Sequence, residues 1–486
     1  MKDQAVNPGT VGDVRKFKRD LNLFDSSMIV IGSMIGSGIF IVSADIARTV
    51  GSPGLLVLVW LITGLVTIIG ALSYGELAGM MPHAGGMYVY LREAYSPLIA
   101  FLFGWTLFLV IQTGTVAAVA VAFSKFTGVL LPWVGEKNIL LTVFGLKISA
   151  AQLLAIVVVA FLTYVNLRGV HTGKLVQNFF TVTKIGILVG LILLGLTIGA
   201  NAPAIKANFA NLWKGSWVQA DGTVLFGSLS GLMVLAAIGA AMVGSLFSSD
   251  AWYDITYAAG EVINPKKTIP LSLLIGTGLV SLFYCLANVA YILILPLRSI
   301  QFASSDRVGT AAASVIFGGP AEVIMAVLIM ISTFGCINGL ILAGARVYYA
   351  MARDGLFFKK VGGLNKKSVP GVALIIQGVW ASLLCLSGTY SNLLDYVIFA
   401  VLIFFSLTVT GIFILRKKKP QAERPYKAFG YPVIPALYVI ICIAIAVDLL
   451  LFKPGYTWPG LVIVLLGIPV FFLWRAFAKP SASQDQ

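Results

Sequence analysis

Charge is the scarcest ingredient of this sequence. Asp, Glu, Lys and Arg make up 11% of its 486 residues, less than half of the roughly 25% usual in soluble proteins. Apolar residues make up 59% and the mean hydropathy is +0.95. There is too little polar surface to cover a soluble particle, which excludes an ordinary soluble globular protein. Histidine is almost missing: His83 and His171 both fall in connections between apolar runs. That argues against a histidine proton relay inside a membrane and leaves no HExxH metal site. A membrane-embedded enzyme would need a nucleophile with its base, or a metal pair, and neither pattern occurs. The four cysteines, Cys285, Cys336, Cys385 and Cys442, all lie within apolar runs without metal-ligand spacing. They read as small core residues, and no disulfide framework, metal site or cofactor is expected. No Asn-x-Ser/Thr sequon occurs, and the polar stretch carrying Arg15, Lys16, Lys18 and Arg19 leads into no signal-peptide cleavage pattern. These absences fit a retained amino-terminal tail and a bacterial inner membrane.

Long apolar runs are what the chain does have. Twelve are bounded by charges, Gly, Pro or Asn, near 26–50, 55–81, 96–124, 149–167, 175–199, 231–262, 269–295, 313–350, 371–388, 393–415, 433–452 and 457–477, each long enough for the ~20 residues that a membrane helix needs. Basic residues crowd into the tails and the even-numbered connections, which puts both termini in the cytoplasm by the positive-inside rule. The net charge of +15 is then a matter of topology. The run Arg416, Lys417, Lys418 and Lys419 ends a span and suits lipid phosphate, not nucleic acid. Rings of charge or a repeated filter loop, the marks of a channel or pore-forming receptor, are not seen.

Two of these runs read badly as helices. The first places Gly32, Ser33, Gly36, Ser37 and Gly38 at mid-membrane, and the sixth places Ser245, Ser248, Ser249, Asp250 and Asp254 there. Irregular backbone and charge are tolerated at that depth only when they line a cavity or are buried in protein. The interruptions fall in spans one and six, the first members of two five-span sets, as expected for inverted repeats meeting at a midplane site. The expected organisation is an amino-terminal tail 1–24, a first repeat 25–199, an outer loop 200–230, a second repeat 231–416, a basic loop 417–432, two further spans in 433–477 and a tail 478–486. A helix restarted at Gly36, Ser37 and Gly38 offers free N–H groups to a carboxylate. Helices ending near Met34 and Phe247 offer free carbonyls to an ammonium. Together they suit a zwitterion, the commonest of which is an amino acid. The competing reading is close helix packing through Gly32 and Gly36.

Lys184 stands alone about ten residues into span five, roughly 15 Å from its start. Insertion of a lysine there costs about 2.5–3.5 kcal/mol. It serves either as a fixed ammonium replacing a bound cation, as a proton carrier, or as a structural partner of carbonyls at a helix break. Asp250 falls at the site, Asp254 and Glu261 fall beyond it as caps or gates, Asp395 is embedded near the outer end of span ten, and Glu76 and Glu93 anchor a loop. Phe247 and Trp252 sit on the broken segment as candidate gates, with packing as the alternative for Phe247.

Four stretches make the chain recognisable: Gly32–Phe40; Ser73–Tyr95, running on to Phe103, Gly104 and Trp105; Ser248–Leu273; and Ser332–Gly355. In these it resembles the amino acid/polyamine/organocation superfamily and, within it, the L-type amino acid transporter group. The resemblance implies an all-α polytopic membrane fold with twelve helices, a leucine-transporter-type five-plus-five inverted repeat and two additional helices. It implies substrate binding by Met34, Ile35, Gly36, Ser37, Gly38, Phe247, Ser248, Ser249, Asp250 and Ala251, with the carboxylate held near Ser37 and Gly38 and the amino group by carbonyls of Met34, Phe247, Ser248 and Asp250. Phe247 and Trp252 are the expected gates. Lys184 matches the position where a lysine replaces the sodium of sodium-coupled relatives, which implies sodium independence. The expected activity is amino acid transport by alternating access, most simply exchange, with proton symport through Lys184 as the alternative. Two departures stand out. Residues 125–149 contain no cysteine, so no disulfide-linked heavy subunit is expected. Asp250 and Ala251 stand where many relatives have glycine, which narrows the pocket toward small or medium neutral side chains.

Overall fold

The computed structural model describes residues 17–477 apart from 136–137, 144–145, 388–389 and 453. The expected tails at 1–24 and 478–486 therefore lie largely outside the described residues.

Helix α1 (Leu23–Met34) begins on a capping box, Asn22 accepting from the Asp25 N–H and Asp25 accepting from the Asn22 N–H. A 3-10 turn at Gly38–Phe40 leads to α2 (Ser43–Val50). Ser52 caps α3 (Pro53–Met80), with proline at the first helical position, where its missing N–H costs nothing. Then come α4 (Met87–Ala94), α5 (Pro97–Leu130), which loosens into a π turn at Leu107–Ile111, and the hairpin β1 (Ile139–Val143) with β2 (Leu146–Ser149). Helices α6 (Ala150–Leu167), α7 (Val170–Leu196) and α8 (Ala202–Ala210) precede a short hairpin, β3 (Trp217–Val218) with β4 (Val224–Phe226). The second half contains α9 (Leu232–Ser248), α10 (Asp254–Tyr257), α11 (Pro265–Ile294), α12 (Leu297–Gln301), α13 (Val308–Phe317), α14 (Ala321–Arg353), α15 (Gly371–Ser387) and α16 (Tyr390–Lys418). Helices α17 (Val433–Phe452) and α18 (Pro454–Phe477) close the chain.

Among the described residues nine helices are long and apolar enough to cross a membrane. This is an all-α polytopic membrane protein. Helices α1 and α9 are shorter because the sequence interrupts them. The eighth apolar run differs from expectation: it is continuous in hydropathy from 313, but Gly318 at φ +65° with Gly319 and Pro320 ends α13, and α14 restarts at Ala321. The stretch 200–230, expected as a loop, contains α8 and the second hairpin.

Helix α3 packs along α11 and α5 along α14. These are spans two with seven and three with eight of the apolar runs. Helix α1 lies against α7, α11 and α14, while α9 lies against α2, α3 and α17. Both interruptions are thereby carried to the middle of the bundle.

Candidate functional site

The first interruption follows from local chemistry. Two glycines and a serine after Met34 cannot hold a helix, and Ile35 leaves it in an extended conformation at ψ 100°. Among the described residues the N–H groups of Gly36 and Gly38 have no hydrogen-bond acceptor. Carbonyls released by the same break are taken by side chains: Cys336 Sγ donates to Ser33 O at 3.0 Å, and Ser332 Oγ to Gly36 O at 3.0 Å.

The second interruption follows α9. Asp250 leaves the helix, and Ala251 adopts φ 64°, a left-handed conformation that L-residues other than Gly, Asn and Asp rarely take. The two breaks touch: a Cβ placed on Gly38 would lie 2.2 Å from Ser248 Oγ, so glycine is required there for contact. Tyr284 of α11 ties them together, its hydroxyl lying 3.1 Å from Met34 O and 3.0 Å from Ser248 O. A single O–H proton serves only one of these carbonyls at a time.

Between the breaks is a partly open cavity with about 320 Å³ of space free of protein atoms. Met34, Gly36, Ser37, Gly38, Phe247, Ser248, Asp250 and Ala251 line it, joined by Ser33, Thr115, Val119 and Cys336. Ser33 belongs to the interruption visible in the sequence; Thr115, Val119 and Cys336 were missed by sequence reasoning, because residues on regular helices give no signal until the fold brings them together. Ile35 does not line the cavity; its carbonyl is turned to Lys184. Ser249 and Trp252 do not line it either. They face a second cavity with Thr67, Leu402, Phe405 and Tyr438, where the Trp252 ring packs on Tyr74 at 4.8 Å and Phe405 at 5.4 Å. Trp252, expected as a gate, lies outside the first cavity and packs on these two rings.

Lys184 is fully enclosed, and its ammonium donates to Ile35 O at 2.7 Å, Gly32 O at 2.8 Å and Ser332 O at 3.0 Å. Three donors meet three carbonyls, at the carbonyl end of α1 where the helix dipole favours a cation. Glu261 is bidentate with Arg346, both oxygens lying 2.9 Å from Nη2. Glu76 pairs with Arg416 at 2.7 Å and accepts from the Ala428 N–H at 2.7 Å. These two acids are structural clamps away from the cavity. The side chain of Asp395 lies outside the described residues.

A sequence profile described as amino acid permease matches residues 21–472. Among curated proteins, the human b(0,+)-type amino acid transporter 1 is 29% identical over 480 residues, covering 97% of this chain and 90% of that protein. The human large neutral amino acids transporter small subunit 2 is 30% identical over 495 residues, covering 99% and 85%. Its counterpart from Oryctolagus cuniculus is 31% identical over 480 residues, covering 96% and 83%.

Proposed function

The chain belongs to the amino acid permease family, and from that premise we propose that it exchanges small or medium neutral L-amino acids across a cell membrane by alternating access, without sodium. The observation that carries this reading is the meeting of two broken helices at one cavity lined by Met34, Gly36, Gly38 and Ser248, where the N–H groups of Gly36 and Gly38 lack an acceptor among the described residues and the carbonyls of Met34 and Ser248 share one Tyr284 hydroxyl. An α-carboxylate accepts from the former and an α-ammonium donates to the latter, so both ends of a zwitterion are recognised by backbone. The substrate side chain then lies among Phe247, Asp250, Ala251, Thr115 and Val119. Phe247 is the proposed gate. Ile35 and Ser249 take part through backbone position, not through the wall.

Sodium independence rests on Lys184. Its ammonium occupies the carbonyl cluster where a cation would bind, and its three bonds use every donor it has. That saturation favours a fixed positive charge over proton carriage by this residue. The relatives' name "small subunit" describes those proteins; here residues 125–149 offer no cysteine to a heavy chain, and a disulfide-linked partner is not part of the reading. Lipid is the other expected contact, and a bacterial inner membrane with both termini inside is the proposed setting.

The test is uptake of a panel of radiolabelled L-amino acids into proteoliposomes, with and without trapped unlabelled amino acid. Accumulation that needs internal substrate and ignores sodium is expected. Absence of uptake of every amino acid on the panel would refute the transport reading, and a strict sodium requirement would refute the role given to Lys184.

A further inference from the structure

Among the described residues, buried carboxylates have cations, with a pair of exceptions. Asp25 is held by Lys174 at 3.1 Å, Glu76 by Arg416 at 2.7 Å and Glu261 by Arg346 at 2.9 Å. Asp250 and Asp254, at the second helix break, are 6% and 0% exposed, and among the described residues neither forms an ion pair. Each has an Oδ1 with no hydrogen-bond partner. A buried, unpaired carboxylate costs far more than a neutral acid.

The two differ in what can reach them. Asp250 lines the cavity, where the ammonium of a bound substrate can approach it. Asp254 lines neither cavity. Its Oδ2 receives one long bond, 3.3 Å, from Gln112 Nε2, which also donates to Leu340 O at 2.8 Å. A metal ion would need several converging oxygens, and no group of three His, Cys, Asp or Glu converges among the described residues. The cation small enough to reach Asp254 is a proton.

We propose that Asp254 is a proton-binding site of the transport cycle, loaded when the amino acid enters from one side and emptied when the carrier opens to the other. The proposal rests on the transport reading above and moves the coupling proton away from Lys184. Exchange and proton coupling are compatible, since a carrier that reorients only when loaded exchanges substrate whether or not a proton travels with it.

The placement suits the task. Asp254 opens α10, directly after the unwound residues that a rearrangement would move, whereas Gln112 follows the π turn of α5 at Leu107–Ile111. Such turns are adjustable points in helices. The bond between the two side chains thus joins the unwound segment to a long helix, and parting them would expose the carboxylate to water, where it ionises. The surrounding groups are Asp250, Tyr253 and Tyr257 on its own segment, Cys336 and Tyr348 from α14, and Gln112 from α5. Helices α1 and α11, which also pack here, send no charged group to it among the described residues. Asp250, on the same segment, acts on Asp254 repulsively.

The experiment uses full-length protein in proteoliposomes with trapped pyranine, an inward proton gradient, and radiolabelled L-alanine, L-serine and L-leucine. Wild type should take up substrate several-fold faster with acid outside and acidify the lumen as it does so. Asp254→Asn should keep counterflow exchange while losing both the stimulation and the acidification. Asp254→Glu should restore them in part. Gln112→Leu, which removes the donor to Oδ2, should shift the pH at which uptake is half-maximal, and serves as the second variant if Asp254→Asn elutes as aggregate. Counterflow in wild type without substrate-linked acidification overturns the proposal and leaves the transport reading standing. Undiminished proton stimulation in Asp254→Asn, or an unmoved pH profile in Gln112→Leu, also overturns it. No counterflow in wild type with any of the three amino acids removes the transport reading for small and medium neutral substrates, and the proposal with it.

Discussion

Four residues at the breaks carry sharp expectations, each from a hydrogen-bond set, a clearance or a dihedral. Lys184→Ala removes the ammonium from the carbonyls of Gly32, Ile35 and Ser332, of which Ile35 O keeps a 3.3 Å bond from Ser332 Oγ, at about 1–3 kcal/mol for each one left unsatisfied. Transport should fall by more than tenfold and the detergent melting temperature should drop; unchanged exchange would refute a structural need for the ammonium. Gly38 and Gly36 provide a contrast within one segment. An alanine Cβ at Gly38 meets Ser248 Oγ at 2.2 Å and Ser248 Cβ at 2.9 Å, whereas at Gly36 the nearest atom is Cys336 Sγ at 3.5 Å. Gly38→Ala should therefore separate the two breaks and abolish transport. Gly36→Ala should fold normally and weaken substrate binding, seen as a raised KM with thermal stability retained. Ala251 works the other way. Its φ of 64° costs an L-residue roughly 1–2 kcal/mol, so Ala251→Gly should raise the melting temperature and admit larger side chains, read by competition with L-phenylalanine.

At the scale of elements, the two halves of the first span are tethered to different neighbours. The start of α1 is tied to α7, Lys174 reaching Asp25 at 3.1 Å and the Asp20 carbonyl at 2.6 Å while Asn178 reaches Asp25 at 2.7 Å. Residues before α1 pair with the end of the other broken span, the Asp20 and Leu21 N–H groups donating to Glu261 O at 2.8 and 3.0 Å. The far half, α2, is held by Arg48, which reaches Asp306 at 2.6 Å and Gln301 O at 2.7 Å. Opening toward the proposed cytoplasmic side requires the first set of bonds to part. Lys174→Ala, in a background where Cys285 is replaced by serine, should speed labelling of Cys336 by an impermeant maleimide several-fold, and saturating substrate should slow it. An unchanged rate would show that this ion pair does not hold the segment.

Across the whole molecule, a chain of charges joins α4 to the ends of α14 and α16. Arg92 bonds Glu93 and Asp354, and Lys419 reaches Glu93 at 2.6 Å. The hydrogen bond from Lys419, with help from Arg92, holds the Glu93 carboxyl below its ordinary range against partial desolvation. A lowered folded-state value means that the stabilisation is present above the unfolded carboxylate range and disappears as pH falls through the folded value. Melting curves of wild type and Glu93→Gln should differ at neutral pH and converge in acid; a constant gap would refute the assignment. Much of this architecture is legible in sequence. A polytopic helical membrane protein with two interrupted helices follows from hydropathy and from helix-breaking residues at mid-membrane, because lipid forces every backbone group to find a partner within the protein. Gly36, Ser37 and Gly38 are visible as candidates for the same reason, since residues that cannot hold a helix announce themselves locally, and Met34 and Phe247 because they end the helices beside the breaks. Local composition does not say which way a side chain faces after unwinding, which is why Trp252 reads as a gate and proves to pack on Tyr74 and Phe405. Nor does it reveal Tyr284, Ser332 and Cys336, which sit on regular helices and reach the breaks only through packing. Lys184 marks the division. Sequence determined that a lone lysine in the membrane must have a reason, since burying its charge is costly. Tertiary structure alone decided what that reason is, because its three carbonyl partners come from α1 and α14, distant in the chain, and directional hydrogen bonds exist only once those helices meet.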